Sequence, residues 1–290
     1  METPLQKADK ILFPAEEPQG RTAETLLLCA VSQKSDATIL VHAAQGKNTS
    51  TVTEGADINS IPFKRHNLVW LSDEGRELAL RNIQFCYPPI PAEAAKKAIF
   101  SVPRIPGIVR RNENAETLAQ KKTVISKAAD MLYLGFSFPE IIDGSRLRIG
   151  TSVSPDYVTK HITPFDVAKY DLSAFPFRDA LLELLDESKK HRVQLGCFGA
   201  AALQLVTGLP YLREKSDLDI YLRRYGTKEE LDAFFNGLLA IEKKFKIVID
   251  AEIEVLTQYG VKLKEMYTTC ETVLGKGLSY VVLLQKSELL

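Results

Sequence analysis

The chain reads as an α+β protein. Its second half forms a mixed sheet with helices on one face, and a smaller strand-rich region precedes it. Three observations predict this. Phe177 to His191 places Ala180, Leu181, Leu184 and Leu185 at helical spacing. Lys246 to Val255, KIVIDAEIEV, alternates apolar and polar positions as a half-buried strand does. Met131 to Ile149 reads as two strands joined at Ile142-Asp143-Gly144-Ser145, where Asp-Gly supplies the positive φ of a tight hairpin. The texture divides the chain into an unassigned extension over residues 1–60, a first domain over 61–165 and a second over 166–290.

Composition narrows the class. The 290 residues hold 37 Lys+Arg against 37 Asp+Glu, and this balance argues against a nucleic-acid partner, which wants a basic domain. The four cysteines, Cys29, Cys86, Cys197 and Cys270, form no C-x-x-C pair and read as reduced thiols, mostly in the core. The first twenty residues lack the apolar stretch of a secretory signal. The run Leu26 to Val31 is too short to span a bilayer. The expectation is a cytoplasmic protein with no membrane contact.

Along the chain, Thr22–Ser32 reads as a helical turn or two, Thr38–His42 as a short strand and Ala43–Ser60 as a linker. Lys64-Arg65-His66-Asn67 then leads as a polar patch into the apolar Leu68-Val69-Trp70-Leu71. Trp70 reads as core, while Arg65 and His66 are equally readable as surface or site residues. Prolines 88, 89 and 91 bend the chain before a helix at about Ala92–Phe100. Ile108 to Arg111 reads as a strand ending in paired arginines, whose forks suit phosphate oxygens. Arg146 and Arg148 share one strand face. Asp166–Pro176 reads as a connection, and Val193–Phe198 as a strand. A glycine turn at Gly199 leads into a helix over Ala200–Thr207, which Gly208-Leu209-Pro210 breaks. Thr227 caps a helix running to about Lys244. Gly260–Met266 and Thr272–Leu284 are further strand candidates, the latter interrupted at Gly275-Lys276-Gly277, for a sheet of about five strands.

The chemistry gathers around Leu195 to Arg224. Asp217 and Asp219 lie two residues apart on a strand, so both carboxylates face one side. Ionised carboxylates repel unless a cation lies between them, and a divalent metal such as Mg2+ with a phosphate-bearing substrate is the simplest answer. The helix start at Gly199 and Ala200 offers free N–H groups and a positive dipole end to phosphate oxygens. A third carboxylate, Asp250 or Glu252, completes the set, either binding the ion or taking the proton of the attacking hydroxyl. Glu254 reads as a surface residue at the far end of that strand.

This order of elements is similar to that of the nucleotidyltransferase superfamily with a polymerase-β-type palm. The match goes further. Leu203 to Leu212 followed by Ser216-Asp217-Leu218-Asp219 closely resembles the phosphoribosyl-dephospho-CoA transferases of malonate decarboxylase. So do R-H-N-L-V-W-L-S at Arg65–Ser72, V-R-R at Val109–Arg111, and L-G-F-x-x-P followed by Arg146 and Arg148. The resemblance runs colinearly from about Phe63 to Leu284. It implies a polymerase-β-like fold and catalytic aspartates at Asp217 and Asp219. It also implies transfer of a triphosphoribosyl-dephospho-CoA group to a serine of the acyl carrier protein subunit of malonate decarboxylase, releasing pyrophosphate. The first domain would then bring Arg65, His66, Arg110, Arg111, Arg146 and Arg148 to the anionic substrate. Gly199, Ala200 and Ser216 would join them from the second domain. Arg223-Arg224 and Lys243-Lys244 are candidate basic surface for an acidic carrier.

Three positions depart from the pattern. Ala200 stands where the superfamily has serine, Asp250-Ala251-Glu252 where Asp-Gly-Glu is expected, and Asn67 where the family more often has Asp. Three other readings stay open: a small-molecule nucleotidyltransferase using ATP, an RNA-directed nucleotidyltransferase, and a non-catalytic nucleotide-binding regulator of the same fold.

Overall fold

Residues 63–111 and 131–289 are described by the computed structural model, so the readings at Thr22–Ser32, Thr38–His42 and Ala43–Ser60 lie outside the described residues. The class is α+β, built on two six-stranded sheets.

The first sheet is assembled from β1 (Leu68–Leu71), β2 (Phe85–Tyr87), β3 (Gly107–Val109), β4 (Leu132–Ile142), β5 (Ser145–Val153) and β6 (Val158–Ile162). Its order is β2-β5-β4-β3-β1-β6, with every pair antiparallel. The β4–β5 hairpin turns where expected, with Asp143 at φ 49° and Gly144 at φ 77°. Helices α1 (Asp73–Arg81) and α2 (Ala92–Ile99) accompany it. Their Ala79, Ala95 and Ile99 join Val69, Leu134, Phe136 and Ile149 in one core.

The second sheet holds β7 (Val193–Cys197), β8 (Leu218–Arg224), β9 (Ile249–Val255), β10 (Tyr259–Lys262), β11 (Thr272–Lys276) and β12 (Val281–Gln285), in the order β12-β11-β10-β9-β8-β7. Only β8 and β9 run parallel, joined by helix α6 (Lys228–Phe245). Helix α4 (Arg178–Lys190) lies beside α6. Leu181 and Leu184 of α4 share a core with Phe234 and Leu238 of α6 and with Ile220, Leu222, Ala251 and Ile253 of the sheet. One face of each strand is thereby spent on packing. The alternating pattern then commits Asp219, Tyr221, Arg223, Asp250, Glu252 and Glu254 to the other face.

Five sequence expectations change. The sheet has six strands rather than about five. The stretch Gly260–Met266 leaves the sheet after Lys262, because Leu263–Met266 forms a short helix, α7, from four good helix formers. The strand expected from Lys246 begins only at Ile249, since Lys246 sits at φ 55° as the left-handed cap of α6. The connection before α4 contains a short helix, α3 (Pro164–Val167), closed by a reciprocal Thr163–Asp166 capping box. Of the three described cysteines only Cys197 is buried, so these thiols are not mostly core.

Candidate active site

Helix α5 (Gly199–Thr207) begins directly after β7. Its N-cap residue is Phe198, which has no side-chain acceptor, so its first amides are left for other partners. Phe198 N–H donates to the Asp219 backbone carbonyl at 3.2 Å, tying the turn to β8. The Ala200 backbone N–H donates to the Asp219 carboxylate. Gly199 adopts φ +61°, and a Cβ there would lie 2.2 Å from Asp219 Oδ2. Glycine is therefore required twice, by conformation and by space.

Asp217 is exposed just before β8, and Asp219, two residues on, is half-buried. In the parallel register Asp219 lies opposite Asp250. Burial, followed by the Asp250 charge, raises the Asp219 carboxyl to about 7, against the lowering pull of the Ala200 N–H and Lys262. Lys262 of β10 forms an ion pair with Asp250. The structure thus sets Asp250, not Glu252, beside Asp219.

Glu252 has other partners. It is buried, and receives His66 Nε2 at 2.9 Å and Arg65 Nη1 at 3.3 Å. Burial alone would raise its carboxyl, but the His66 hydrogen bond and the Arg65 charge outweigh it and hold Glu252 well below the usual range. Burial pushes His66 down, so at neutral pH its uncharged ring donates from Nε2. The same ring lies 4.1 Å from Phe198, centroid to centroid, and 5.5 Å from Tyr221. Arg65 also donates to the Lys276 carbonyl at 2.9 Å. Arg65 and His66 therefore join the first sheet's leading segment to the second sheet.

Glu254 is not the surface residue expected. Its side chain is 6% exposed, between Lys64 at 3.2 Å and Arg223 at 3.0 Å. Arg223 stacks on Phe165, Arg224 donates to the Leu289 carbonyl and Lys244 pairs with Glu183. Three of the four cations read as carrier surface are already engaged.

The remaining candidates sit elsewhere. Ser216 Oγ accepts from Arg213 N–H at 2.8 Å and closes the turn before Asp217. Arg110 stacks on Phe85 at the first sheet, where Arg111 follows it. Arg146 donates to the Tyr211 carbonyl and lies over the Tyr211 ring, while Arg148, further along β5, is exposed. Burial, then the charges of Arg213 and Arg148, lower the Arg146 guanidinium.

Two residues that sequence reasoning passed over hold the loop between α5 and β8. Gln204 Oε1 accepts from the Tyr211 and Leu212 amides at 3.0 and 2.8 Å. Tyr211, fully buried, donates its hydroxyl to the Ser137 carbonyl at 2.9 Å. A glutamine inside a helix followed by a tyrosine after Gly-Leu-Pro was the available signal.

Among the described residues no three His, Cys, Asp or Glu side chains are gathered to hold a metal ion. The donor chemistry of Asp217, Asp219 and Asp250 nonetheless fits a hard cation, since they are oxygen ligands whose mutual repulsion the lysine only partly relieves.

A family model described as the phosphoribosyl-dephospho-CoA transferase MdcG C-terminal domain matches residues 166–287. A phosphoribosyl-dephospho-CoA transferase of Bradyrhizobium diazoefficiens is 29% identical over 99 residues, covering 34% of this chain and 43% of that protein. Against that relative the chain spans less than half its length. A protein of the same description from Xanthomonas euvesicatoria pv. vesicatoria is 24% identical over 214 residues, covering 73% of this chain and 90% of its own length. No solved structure matches the chain.

Proposed function

We propose that the chain, whose residues 166–287 match the phosphoribosyl-dephospho-CoA transferase family model, transfers a triphosphoribosyl-dephospho-CoA group to a serine hydroxyl of the malonate decarboxylase acyl carrier subunit. The observation that carries the reading is the placement of Asp219 and Asp250 side by side, at a helix start held open by Gly199. This is the arrangement a polymerase-β-like nucleotidyltransferase requires.

In the reaction the serine Oγ attacks the α-phosphorus of the triphosphate. A new P–O bond forms, the bond from the α-phosphorus to the bridging oxygen of the β-phosphate breaks, and pyrophosphate leaves with that oxygen. Asp217, Asp219 and Asp250 would hold Mg2+, which when bound neutralises phosphate charge and favours ionisation of the hydroxyl. The chain's own groups do the rest. The α5 start presents backbone donors and a positive dipole end to the phosphates. Asp250, opposite Asp219 in the strand register, is the carboxylate placed to receive the serine proton as the P–O bond forms. Lys262, already beside Asp250, offsets the charge there. Glu252, held by Arg65 and His66, is a positioning residue in this scheme.

The test combines the protein, Mg2+, the triphosphoribosyl-dephospho-CoA and the apo carrier, followed by mass spectrometry of the carrier. The expected result is a mass gain equal to the prosthetic group, with none from Asp219→Asn. No gain where an established transferase works would sink the reading. A gain with ATP alone would move it to the ATP-using alternative.

A further inference from the structure

We propose that Arg146, Arg148 and Arg213 form one binding site for a phosphate-type polyanion, beside the loop that carries Asp217. Three cations meet there from two parts of the chain. Arg146 and Arg148 lie two apart on β5, and Arg213 comes from the loop that Tyr211 and Gln204 pin down. Arg213 and Arg148 are both close enough to Arg146 for their charges to act on it. Among the described residues no carboxylate pairs with any of the three. Glu140 reaches Tyr211 electrostatically without closing an ion pair, and Glu214, adjacent in sequence to Arg213, closes none either.

Exposed arginines are commonly just solvated, but Arg146 is not. Its guanidinium is fixed by the Tyr211 carbonyl and by the Tyr211 ring 5.3 Å away. Its Nε is shut off from solvent and has no hydrogen-bond partner. An anion held across the outer edges of the three guanidiniums offsets the repulsion between them without having to reach the enclosed Nε. Guanidinium forks match phosphate oxygens in pairs, and pyrophosphate carries enough charge for three of them. That the physiological occupant is the substrate's triphosphate, or the pyrophosphate it releases, rests on the transferase reading. The anion site does not.

The test is calorimetric titration of the full chain with inorganic pyrophosphate at low salt. Wild type is expected to bind, and Arg148→Ala/Arg213→Ala, which removes only exposed side chains, to bind at least about tenfold more weakly. The charge-matched control Lys189→Ala/Lys243→Ala is expected to bind as wild type does. No binding by wild type, or equal weakening by the control pair, overturns the site. An acidic carrier protein that loses affinity for the arginine variant, while pyrophosphate does not, overturns it as well. If pyrophosphate binding depends on the arginines but the carrier gains no mass, the anion site stands and the transferase reading falls.

Discussion

Asp219 and Glu252 both belong to the same face of one sheet, yet their surroundings drive their carboxyls in opposite directions. Asp219, raised from 3.8 to about 7, keeps its proton in the folded chain where the unfolded chain has lost it. Stability from this group is thus complete below pH 3.8 and is lost as the pH rises to about 7. Asp219→Asn should therefore raise the metal-free Tm at pH 8 and leave it nearly unchanged at pH 4, the gain being about 2 kcal/mol after allowance for partial exposure. An equal effect at both pH values would refute the assignment. Glu252 has the reverse sign. Its lowered carboxyl stabilises the fold above the ordinary value of 4.5, and that contribution is lost as the pH falls below it. Glu252→Gln should cost about 3 kcal/mol at pH 7, as expected when one partner of a buried pair is removed. The deficit should shrink on acidification, which thermal melts between pH 7 and 3 would reveal. Diagonal positions on paired strands thus answer to pH in opposite ways, because one faces a carboxylate and the other a histidine and an arginine.

The α5 start depends on a single residue. Gly199→Ala would place a non-glycine residue at φ +61°, costing about 1 kcal/mol, and its methyl would strike Asp219. The expected outcome is a Tm lowered by several degrees and loss of carrier modification, measured by melting and by mass spectrometry. Full activity would show that Asp219 does not need its present position. Much at this scale was legible in the sequence. The β4–β5 hairpin followed from Asp143-Gly144, α6 from the Thr227 cap, and the end of α5 from Thr207-Gly208, with Gly208 in the left-handed region. These are local signals, carried by residues whose own backbone preferences decide the structure. The α7 turn was missed because Gly260 to Met266 keeps a strand-like apolar pattern while its last four residues favour helix.

At the scale of the molecule, the two sheets share packing as well as ion pairs. Leu68 of β1 is buried in the core of the second sheet, and Trp70, Ile108 and Ile162 pack against that core. Glu252 is held by Arg65 and His66, and Glu254 in part by Lys64, all roughly 190 residues away in sequence. A fragment of residues 166–290 alone would expose this apolar surface, strip the buried Glu252 of Arg65 and His66, and leave Glu254 with Arg223 but without Lys64. Such a fragment should show no cooperative thermal transition by circular dichroism. A sharp transition at the full-length Tm would contradict that account.

The sequence by itself determined most of the elements and the α+β class, since these rest on periodicity and turn chemistry, and a colinear set of motifs carried the resemblance to the transferases. It also singled out Asp217 and Asp219 as candidates, because two carboxylates two residues apart suggest a cation between them. It left open whether Asp250 or Glu252 stands third. Only the tertiary structure separated them, by pairing β8 with β9 in a register that sets Asp250 opposite Asp219 and by bringing Arg65 and His66 onto Glu252. Alternation along a strand fixes which face a side chain takes. Which partner it meets there depends on contacts between segments far apart in the chain, and no local preference encodes that.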